Sequence, residues 1–317
     1  MPAPAKRHAY KTLLAFAIIY CVWGSTFLAI RIGVHEVPPF LLAAMRFVVA
    51  GLALFLWAFA RGERFPSARL WSSALVFGVL IFIGDYGLVF WAEQRVPSGL
   101  TAVMMSMNAL FMALGEILIL RTQTLTARLS FALVLGIAGV AVLVSRTLHL
   151  GGAPIDRLGA VALLIASMSW SVSAPLTRKL PLPPSKTMSA GIQMLAGGFL
   201  LSVCAAVFRE FHGFHPAQVT RAAWIALAYL IIAGSIIAYT AYLWLLHHES
   251  ITKVGTYAYV NPVVAVLLGY FFAGEPLGMR TILGSLFVLT SVVVITTTPA
   301  RRPAAAAPSE DLQPASE

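Results

Sequence analysis

The sequence predicts an all-α polytopic membrane protein whose ten transmembrane helices form two inverted five-helix repeats. Composition is the first reason: of 317 residues, 59% are hydrophobic and 11% are charged, with a mean hydropathy of +0.86, whereas soluble domains carry about 25% charged residues. Spacing is the second reason, because the charges separate apolar runs of roughly 20 residues, the length of a membrane-spanning helix. Internal similarity between the two halves of the chain is the third.

The internal similarity is visible as residues of the first half that recur in the second. Four of them recur 147 positions later in the same order: Trp23, Arg31, Arg46 and Gly51 are followed by Trp170, Arg178, Gln193 and Gly198. The segment around Asn108 likewise resembles the segment around Asn261, 153 positions later. Because each half contains five spans, an odd number, the second half enters the membrane from the opposite side, as in secondary transporters built from inverted repeats.

Ten apolar stretches are predicted to span the membrane. In chain order they cover residues 12–33, 38–60, 70–91, 97–120, 128–146, 158–178, 187–208, 221–246, 252–273 and 279–297. The first is not followed by a cleavage site of small residues, which indicates a retained span rather than a signal peptide. Pro38 and Pro97 begin the second and fourth spans, since proline is favoured at the first position of a helix. Pro175 and Pro262 lie within the sixth and ninth spans and are predicted to kink them.

The spans divide the chain into five regions. The first repeat covers 12–146 and the second covers 158–298, and a Gly/Pro-rich linker at 147–157 joins them. A cytoplasmic N-terminal segment precedes the first repeat at 1–11. An Ala/Pro-rich tail at 299–317, predicted to be cytoplasmic and disordered because it cannot bury a core, follows the second.

The distribution of basic residues predicts the orientation of the chain. With the N-terminus inside, 14 Lys and Arg residues fall in inside segments, 7 fall in outside segments, and Arg46 lies within a span. Since cytoplasmic loops are enriched in Lys and Arg, both termini are predicted to be cytoplasmic, with the protein in a bacterial inner membrane. The same bias accounts for the net charge of +10, so no nucleic-acid partner is expected.

The sequence contains no recognisable motif for a metal, a cofactor or a hydrolytic reaction. His247, His248 and Glu249 are adjacent, but they lack the i, i+4 spacing of helical metal ligands and a second ligand cluster. Phosphate-binding loops and nucleophile elbows are missing from the sequence as well. We therefore expect neither a metal, nor a cofactor, nor an enzymatic activity.

Two ionisable residues lie within predicted spans at comparable depth. Arg46 is about 12 Å inside the second span and Asp85 about 9 Å inside the third, both measured from the outer face. An ion pair between them is predicted, since an isolated charge within the bilayer is costly. The pair has two interpretations: a substrate or proton site, in which Arg46 receives an anionic group and Asp85 a proton, or a static pair that locks two helices.

A third ionisable residue, Glu116, lies near the inner end of the fourth span. One prediction is that its side chain extends toward Arg121 at the membrane surface. The other is that it faces the inner half of a central cavity beside Gln193, where it would be a candidate proton carrier.

Aromatic and amide residues supply the remaining candidates for a substrate site. Trp23 and Trp170 are equivalent in the two repeats and lie in mid-span, so they are predicted to line a cavity. Tyr257 and Asn261 are four residues apart and share one face of the ninth helix, next to Pro262. Helix irregularity at this depth is tolerated where it lines a water-filled cavity.

Three features together resemble the EamA-domain permeases of the drug/metabolite transporter superfamily. They are the run from Trp23 to Leu52, WGSTFLAIRIGVHEVPPFLLAAMRFVVAGL, the run from Tyr257 to Leu277, YAYVNPVVAVLLGYFFAGEPL, and the duplicated five-span unit. The resemblance implies a ten-span fold with a central cavity that alternates between inward-open and outward-open states. It also implies substrates among amino acids, other metabolites and drugs, often exported.

These observations predict a secondary membrane transporter of a small metabolite, amino acid or drug, working by alternating access, with export favoured over import. The expected partners are a small-molecule substrate and the lipid bilayer, with proton coupling as an open alternative. A membrane-embedded enzyme and a lipid-handling protein are the competing hypotheses. The inverted repeat argues against both, because alternating access uses this symmetry and catalysis does not.

Overall fold

The computed structural model describes residues 4–96, 98–144, 156–273 and 279–298, which form helices joined by short loops. In chain order the helices are α1 (Pro4–Val34), α2 (Pro39–Ala60), α3 (Ala68–Glu93), α4 (98–120), α5 (Ala127–Val144), α6 (Arg157–Leu176), α7 (Lys186–Val207), α8 (Arg221–His248), α9 (251–273) and α10 (Met279–Thr297). The predicted all-α fold of ten spans is confirmed. The predicted tail at 299–317 and nearly all of the linker at 147–157 lie outside the described residues.

The outer surface of the helices is apolar, as expected for a protein surrounded by lipid. By length and composition, α1, α2, α3, α6, α7 and α8 can each cross a membrane, and α4, α5 and α10 contain shorter apolar stretches. Large apolar side chains such as Trp57, Phe131 and Val134 are more than half exposed. Such exposure would promote aggregation in water, whereas it is the normal state of a lipid-facing side chain.

Helix packing reflects the duplication of the chain. Among the described residues, the most extensive contact is between α2 and α7, which are equivalent in the two halves, and the next is between the equivalent helices α5 and α10. In addition, α1 packs against α9, and its equivalent α6 packs against α4. The two halves are therefore related by a pseudo-two-fold symmetry, as in transporters with inverted repeats.

Glycines that recur in the two halves let α2 and α7 approach closely. A Cβ atom added to Gly51 of α2 would lie 2.8 Å from the backbone nitrogen of Leu195, and one added to Gly198 of α7 would lie 2.8 Å from that of Val48. Small residues of this kind bring helix backbones together within membranes. The two glycines thus fix the distance between the halves.

A long π-helical segment occurs at equivalent places in α3 and α8. It covers Gly78–Gly87 in α3 and Leu230–Ile237 in α8. Such segments are rare and are found often at functional sites. In α3 the segment contains Asp85 and Tyr86, so it sets the direction in which both side chains point.

The repeated arginines near the ends of α1 and α6 bind the C-terminal ends of α3 and α8. Arg31 Nη1 donates to the carbonyl of Glu93 at 3.5 Å, and Arg178 Nη2 donates to the carbonyl of Leu246 at 3.1 Å. The two acceptors are 153 positions apart in the chain. A cation at a helix C-terminus stabilises the carbonyls that have no partner within the helix.

Two carboxylates in loops join the halves outside the membrane-spanning segments. Glu36, after α1, accepts hydrogen bonds of 2.6 Å from both the backbone nitrogen and the hydroxyl of Thr220, which precedes α8. Glu210, after α7, accepts a 2.7 Å bond from the backbone nitrogen of Leu41 in α2. The bonds from Thr220 lower the pKa of Glu36, whereas partial burial raises the pKa of Glu210.

Candidate functional site

A cavity lies between the two halves, bounded by α1, α3 and α4 of the first half and by α6 and α9 of the second. Its volume is about 50 Å³, enough for a few water-sized groups. Apolar side chains form much of the wall. The polar and aromatic part of the wall consists of Trp23, Thr26, Phe27, Asp85, Tyr86, Asn108, Trp170, Tyr257 and Asn261.

Five of the eight site residues predicted from the sequence line this cavity. They are Trp23, Asp85, Trp170, Tyr257 and Asn261. The other three do not contribute to the wall, although all are buried: Arg46, Glu116 and Gln193. The cavity is therefore the candidate substrate site, and the remaining three side chains require separate explanations.

Trp23 is at the centre of an aromatic cluster in the cavity wall. The ring centroids of Trp170, Tyr242 and Tyr257 lie 5.4, 5.2 and 4.9 Å from that of Trp23. Its indole Nε1 donates to the carbonyl of Gly234, in the π-helical segment of α8, at 3.1 Å. Edge-to-face and tilted contacts between aromatic rings are favourable and directional, so the cluster holds this part of the wall in a fixed arrangement.

Asp85 presents a carboxylate to the cavity. The residue is 3% exposed, and its Oδ1 is buried without a hydrogen-bond partner in the described part of the chain. Buried polar groups are nearly always paired, and an unpaired carboxylate is especially costly. An unpaired carboxylate in a cavity wall therefore indicates that a ligand, a proton or a side chain from another conformation pairs with it.

Arg46 does not form the predicted ion pair with Asp85. No nitrogen of Arg46 lies within 4.0 Å of that carboxylate, and its Nη1 and Nη2 have no hydrogen-bond partner among the described residues. Instead, Nε donates to Ser235 Oγ of α8 at 2.8 Å, and Cζ lies 4.6 and 4.9 Å from the ring centroids of Phe47 and Tyr86. The pair is absent because Arg46 turns toward α8, whereas the π-helical segment directs Asp85 into the cavity.

Gln193 occupies in the second half the place that Arg46 occupies in the first. Its Oε1 accepts a 2.9 Å hydrogen bond from the hydroxyl of Tyr239, and its Nε2 donates to Ser189 Oγ at 2.9 Å. Tyr239 follows Tyr86 by 153 positions, so each half pairs a polar residue of its second helix with a tyrosine of its third. The second pair is neutral, whereas the first carries a charge.

Asn108 and Tyr86 line the cavity but are absent from the sequence-based candidates. Asn108 Oδ1 accepts from Ser167 Oγ at 2.6 Å. By contrast, the equivalent Oδ1 of Asn261 is buried without a hydrogen-bond partner in the described ranges. Both residues have a sequence signal, because Asn108 matches Asn261 and Tyr86 matches Tyr239 at the same spacing of 153 positions.

Glu116 does not line the cavity, and no nitrogen of Arg121 lies within 4.0 Å of its carboxylate. Its role as a proton carrier stays a prediction. Its Oε2 accepts from the backbone nitrogen and the hydroxyl of Thr252, at 2.8 and 2.7 Å. Thr252 lies in the first turn of α9, which Ser250 also caps, and a negative charge is favourable at a helix N-terminus. Glu116 thus joins α4 to the start of α9.

Replacing Glu116 with alanine is expected to destabilise the fold by about 1 to 3 kcal/mol, because the buried amide and hydroxyl of Thr252 lose their acceptor. Glu116→Gln keeps an acceptor oxygen and should lose less. Unfolding of both variants in mixed detergent micelles measures the difference. An alanine variant with native stability and impaired transport would instead support a coupling role for Glu116.

Glu93, at the end of α3, is a third buried acid and is absent from the sequence-based candidates. It is completely buried, and neither carboxylate oxygen has a hydrogen-bond partner among the residues that the structure describes. Unlike Asp85, eight residues earlier, it does not line the cavity. The guanidinium of Arg31, which binds its backbone carbonyl, is the charge nearby.

Metal-binding geometry is not found in the described ranges. No group of three His, Cys, Asp or Glu side chains there is close enough to hold an ion. His248 stacks on Trp244 with ring centroids 4.0 Å apart, and its Nδ1 lies 2.7 Å from the Trp244 carbonyl oxygen. The short His-His-Glu run at this point thus has a local structural explanation.

Comparison with known proteins agrees with a duplicated architecture. The profile of the EamA-like transporter family matches the chain twice, over residues 11–145 and 157–297. The first match spans α1 to α5 and the second spans α6 to α10.

Similar proteins of known sequence include transporters from bacteria and archaea. The "Uncharacterized inner membrane transporter YedA" of Escherichia coli (strain K12) is 35% identical over 284 residues, which cover 89% of this chain and 89% of that protein. "Protein PecM" of Dickeya dadantii is 28% identical, with 87% and 89% covered. An "Uncharacterized transporter" of Archaeoglobus fulgidus is 27% identical, with 90% and 97% covered.

A crystal structure of another protein has a similar fold. It superposes with a TM-score of 0.71 at 22% sequence identity, covering 91% of this chain and 96% of the other. At this identity the likeness concerns the fold alone.

Proposed function

The chain belongs to the EamA-like transporter family, and from this premise we propose that it exports a small organic solute, such as a metabolite, amino acid or drug, by alternating access. The family makes the chain a multi-pass membrane transporter rather than an enzyme. One observation supports the finer proposal more than any other. Residues from both repeats, Trp23, Asp85, Trp170, Tyr257 and Asn261, converge on a single cavity.

Inverted repeats supply the mechanics of such a transporter. In alternating access, one half moves against the other around a central site, so that the site opens first to one side and then to the other. The cavity lies between the halves, and both contribute to its wall. At about 50 Å³ it is smaller than a typical ligand pocket, so transport requires the halves to separate further on one side.

Asp85 and Arg46 are the proposed coupling groups. Each is buried, and each has polar atoms without a hydrogen-bond partner among the described residues. Because unpaired charges within a membrane are costly, each group requires a partner at another step of the cycle. In the proposed cycle Asp85 takes up a proton on one side and exchanges it for the solute on the other.

The other predicted residues have simpler proposed roles. Trp23 and Trp170 form the walls of the site, while Tyr257 and Asn261 provide polar contacts to the solute. Gln193 is hydrogen-bonded to protein groups at both ends of its amide and has no proposed contact with the solute.

The proposed orientation places both termini in the cytoplasm of an inner membrane. The excess of Lys and Arg in the segments on the side of the N-terminus supports it. In this orientation Ile30, Val89 and Ala102, which line one end of the cavity, lie toward the outer face. The cavity of this conformation is then closer to the outer side than to the cytoplasm.

Sealed proteoliposomes test the proposed function. Purified protein is reconstituted, a pH gradient is imposed, and the uptake of labelled amino acids, nucleosides and organic amines is measured. We expect at least one solute to accumulate when the lumen is acidic, because protons leaving the lumen then drive the solute inward by exchange.

Protein-free vesicles and vesicles treated with a protonophore serve as controls for this transport assay. Vesicles treated with a protonophore should show no accumulation. Protein-free vesicles should show only the passive trapping of weak bases in the acidic lumen, which is subtracted. Uptake that ignores the pH gradient would reject proton exchange, and the absence of uptake for every solute class would count against export of a small organic solute.

A further inference from the structure

We propose that the solute recognised in this cavity is an organic cation: a primary ammonium group carried on a flat apolar body. This inference rests on the proposed transport function and deepens it by naming the substrate class. It follows from three properties of the wall, namely its charge, its aromatic surfaces and its unpaired hydrogen-bond acceptors.

The charge of the wall is negative. Asp85 lines the cavity, whereas no Lys, Arg or His side chain of the described residues does so. Its Oδ1 lacks a hydrogen-bond partner, and Arg46 lies beyond ion-pair distance. A carboxylate buried in this way is stabilised most by a cation that enters the cavity with it.

Aromatic rings line the same cavity as the carboxylate. Tyr86 follows Asp85 in α3, and its ring centroid lies 5.7 Å from that of Trp170, which is 5.4 Å from that of Trp23. Tyrosine and tryptophan rings attract cations through their negative faces, and clusters of such rings recognise ammonium groups. When the halves separate enough to admit the solute, the same rings provide the apolar surface against which its body can pack.

The unpaired acceptors favour a primary ammonium over a quaternary one. Asn261 Oδ1 and Asp85 Oδ1 are both buried, both belong to cavity residues, and both lack a partner among the described residues. An ammonium group of the lysine type has three N–H donors and no acceptor, so it can donate to unpaired oxygens of this kind. A quaternary ammonium has no N–H donor and would leave them unpaired.

The same wall disfavours anions and zwitterions. A carboxylate on the solute would have to be buried near Asp85, where like charges repel strongly at low dielectric constant. In one of the two interpretations of the sequence, Arg46 receives an anionic group, but that guanidinium lies outside the wall. The indole Nε1 of Trp170 is a buried donor without a partner in the described part of the chain, and it can serve a neutral acceptor on the solute.

Arg46 is a cation of the protein itself that can compete with the solute cation for the carboxylate of Asp85. Among the described residues, Arg46 of α2, Tyr242 of α8 and Tyr257 of α9 interact electrostatically with Asp85, and Arg46 is the cation of the three. A movement of α2 against α3 that brings Arg46 to Asp85 would displace the solute cation. The internal ion pair thus assists release of the solute, and the proton of the proposed cycle then takes the place of Arg46 at Asp85.

Four small probes that share a phenyl ring test the substrate class on the native protein. They are phenethylamine (cation), phenylpropanol (neutral), phenylpropanoate (anion) and phenylalanine (zwitterion). Binding to purified protein is measured by titration calorimetry and by thermal stabilisation, which follows from mass action. We expect phenethylamine to bind at least about tenfold more tightly than the other three.

Variants of two buried acids in α3 then locate the binding group. Asp85→Asn removes the charge at nearly constant shape, and we expect it to abolish the preference for phenethylamine. Glu93→Gln is the matched control, since this acid is equally buried in the same helix but does not line the cavity, and it should bind phenethylamine like the native chain. Thermal unfolding without ligand establishes that both variants are folded.

Several outcomes would overturn the proposal. They are tighter binding of phenylpropanol or phenylpropanoate, undiminished phenethylamine binding by folded Asp85→Asn, and no phenethylamine binding at millimolar concentration. Each leaves the transport proposal standing if a neutral or anionic solute accumulates in the proteoliposomes. Conversely, Asp85-dependent binding of phenethylamine without uptake of any solute would support the cation site and reject the transport cycle.

Discussion

Replacing Gly51 with leucine is expected to prevent the two halves from assembling. A Cβ atom at this position would lie 2.8 Å from the backbone nitrogen of Leu195 and 3.1 Å from the carbonyl oxygen of Gly191. Neither backbone atom can move without displacing α7, the helix that makes the most extensive contact with α2. Overpacking usually costs 1 to 3 kcal/mol when side chains can adjust, and here we expect a loss of about 3 kcal/mol or more.

The measurement is the yield of monodisperse protein in detergent, together with its unfolding temperature. Gly51→Ala should show a smaller loss than Gly51→Leu, since its single methyl group meets the same atoms without adding further volume. Leu52→Phe is the control on the same helix, because Leu52 is 46% exposed and the added ring points to lipid. It should behave like the native protein.

Gly198 offers an independent check on the same contact. Because its added Cβ would meet the backbone nitrogen of Val48 at 2.8 Å, Gly198→Leu should be as damaging as Gly51→Leu. Native yield and stability for either leucine variant would show that the α2–α7 contact is looser than described.

Replacing Arg46 with methionine is expected to leave the fold at least as stable as that of the native protein. The transport rate should fall at least about tenfold, equivalent to about 1.4 kcal/mol in activation free energy. The guanidinium is 1% exposed, and two of its three nitrogens have no hydrogen-bond partner among the described residues. Exchanging a buried charge for an apolar side chain of similar size is often neutral or stabilising. Transport should fall because the internal competitor for Asp85 is lost.

Thermal unfolding and proteoliposome uptake, measured side by side, test this prediction. Phenethylamine should bind Arg46→Met at least as tightly as the native chain, since no internal cation competes for Asp85. Arg46→Lys serves as the conservative variant and should retain part of the transport activity. A large drop in unfolding temperature with normal transport would mean that Arg46 locks helices together and has no role in the cycle.

The fold could be predicted from the sequence nearly in full. Apolar runs of membrane-spanning length and the 147-residue offset between Trp23 and Trp170 are properties of the chain itself, visible without any contact between helices. The offset also identified residues that line one cavity, because equivalent residues near a pseudo-two-fold axis meet one another. For the same reason, Asn108 could have been predicted as a cavity residue from its equivalence to Asn261, although only Asn261 was among the candidates.

Side-chain partners could not be predicted in the same way. Equal depth in the membrane suggested a pair between Arg46 and Asp85, but depth says nothing about the direction in which a side chain leaves its helix. The π-helical segment of α3 changes that direction and has no clear sequence signature. The hydrogen-bond partner of Glu116 could not be predicted for a related reason. This partner, Thr252, lies at the start of a helix that is 136 residues away in sequence.

Because a π-helical turn holds more residues than an ordinary turn, the segments Gly78–Gly87 and Leu230–Ile237 have the character of insertions within a helix. Their equivalent positions make them part of the repeated five-helix unit. An extra residue within a helix changes which side chains face a neighbouring cavity without any change of residue type. The chemistry of the cavity thus depends on the winding of a helix as much as on the identity of its residues.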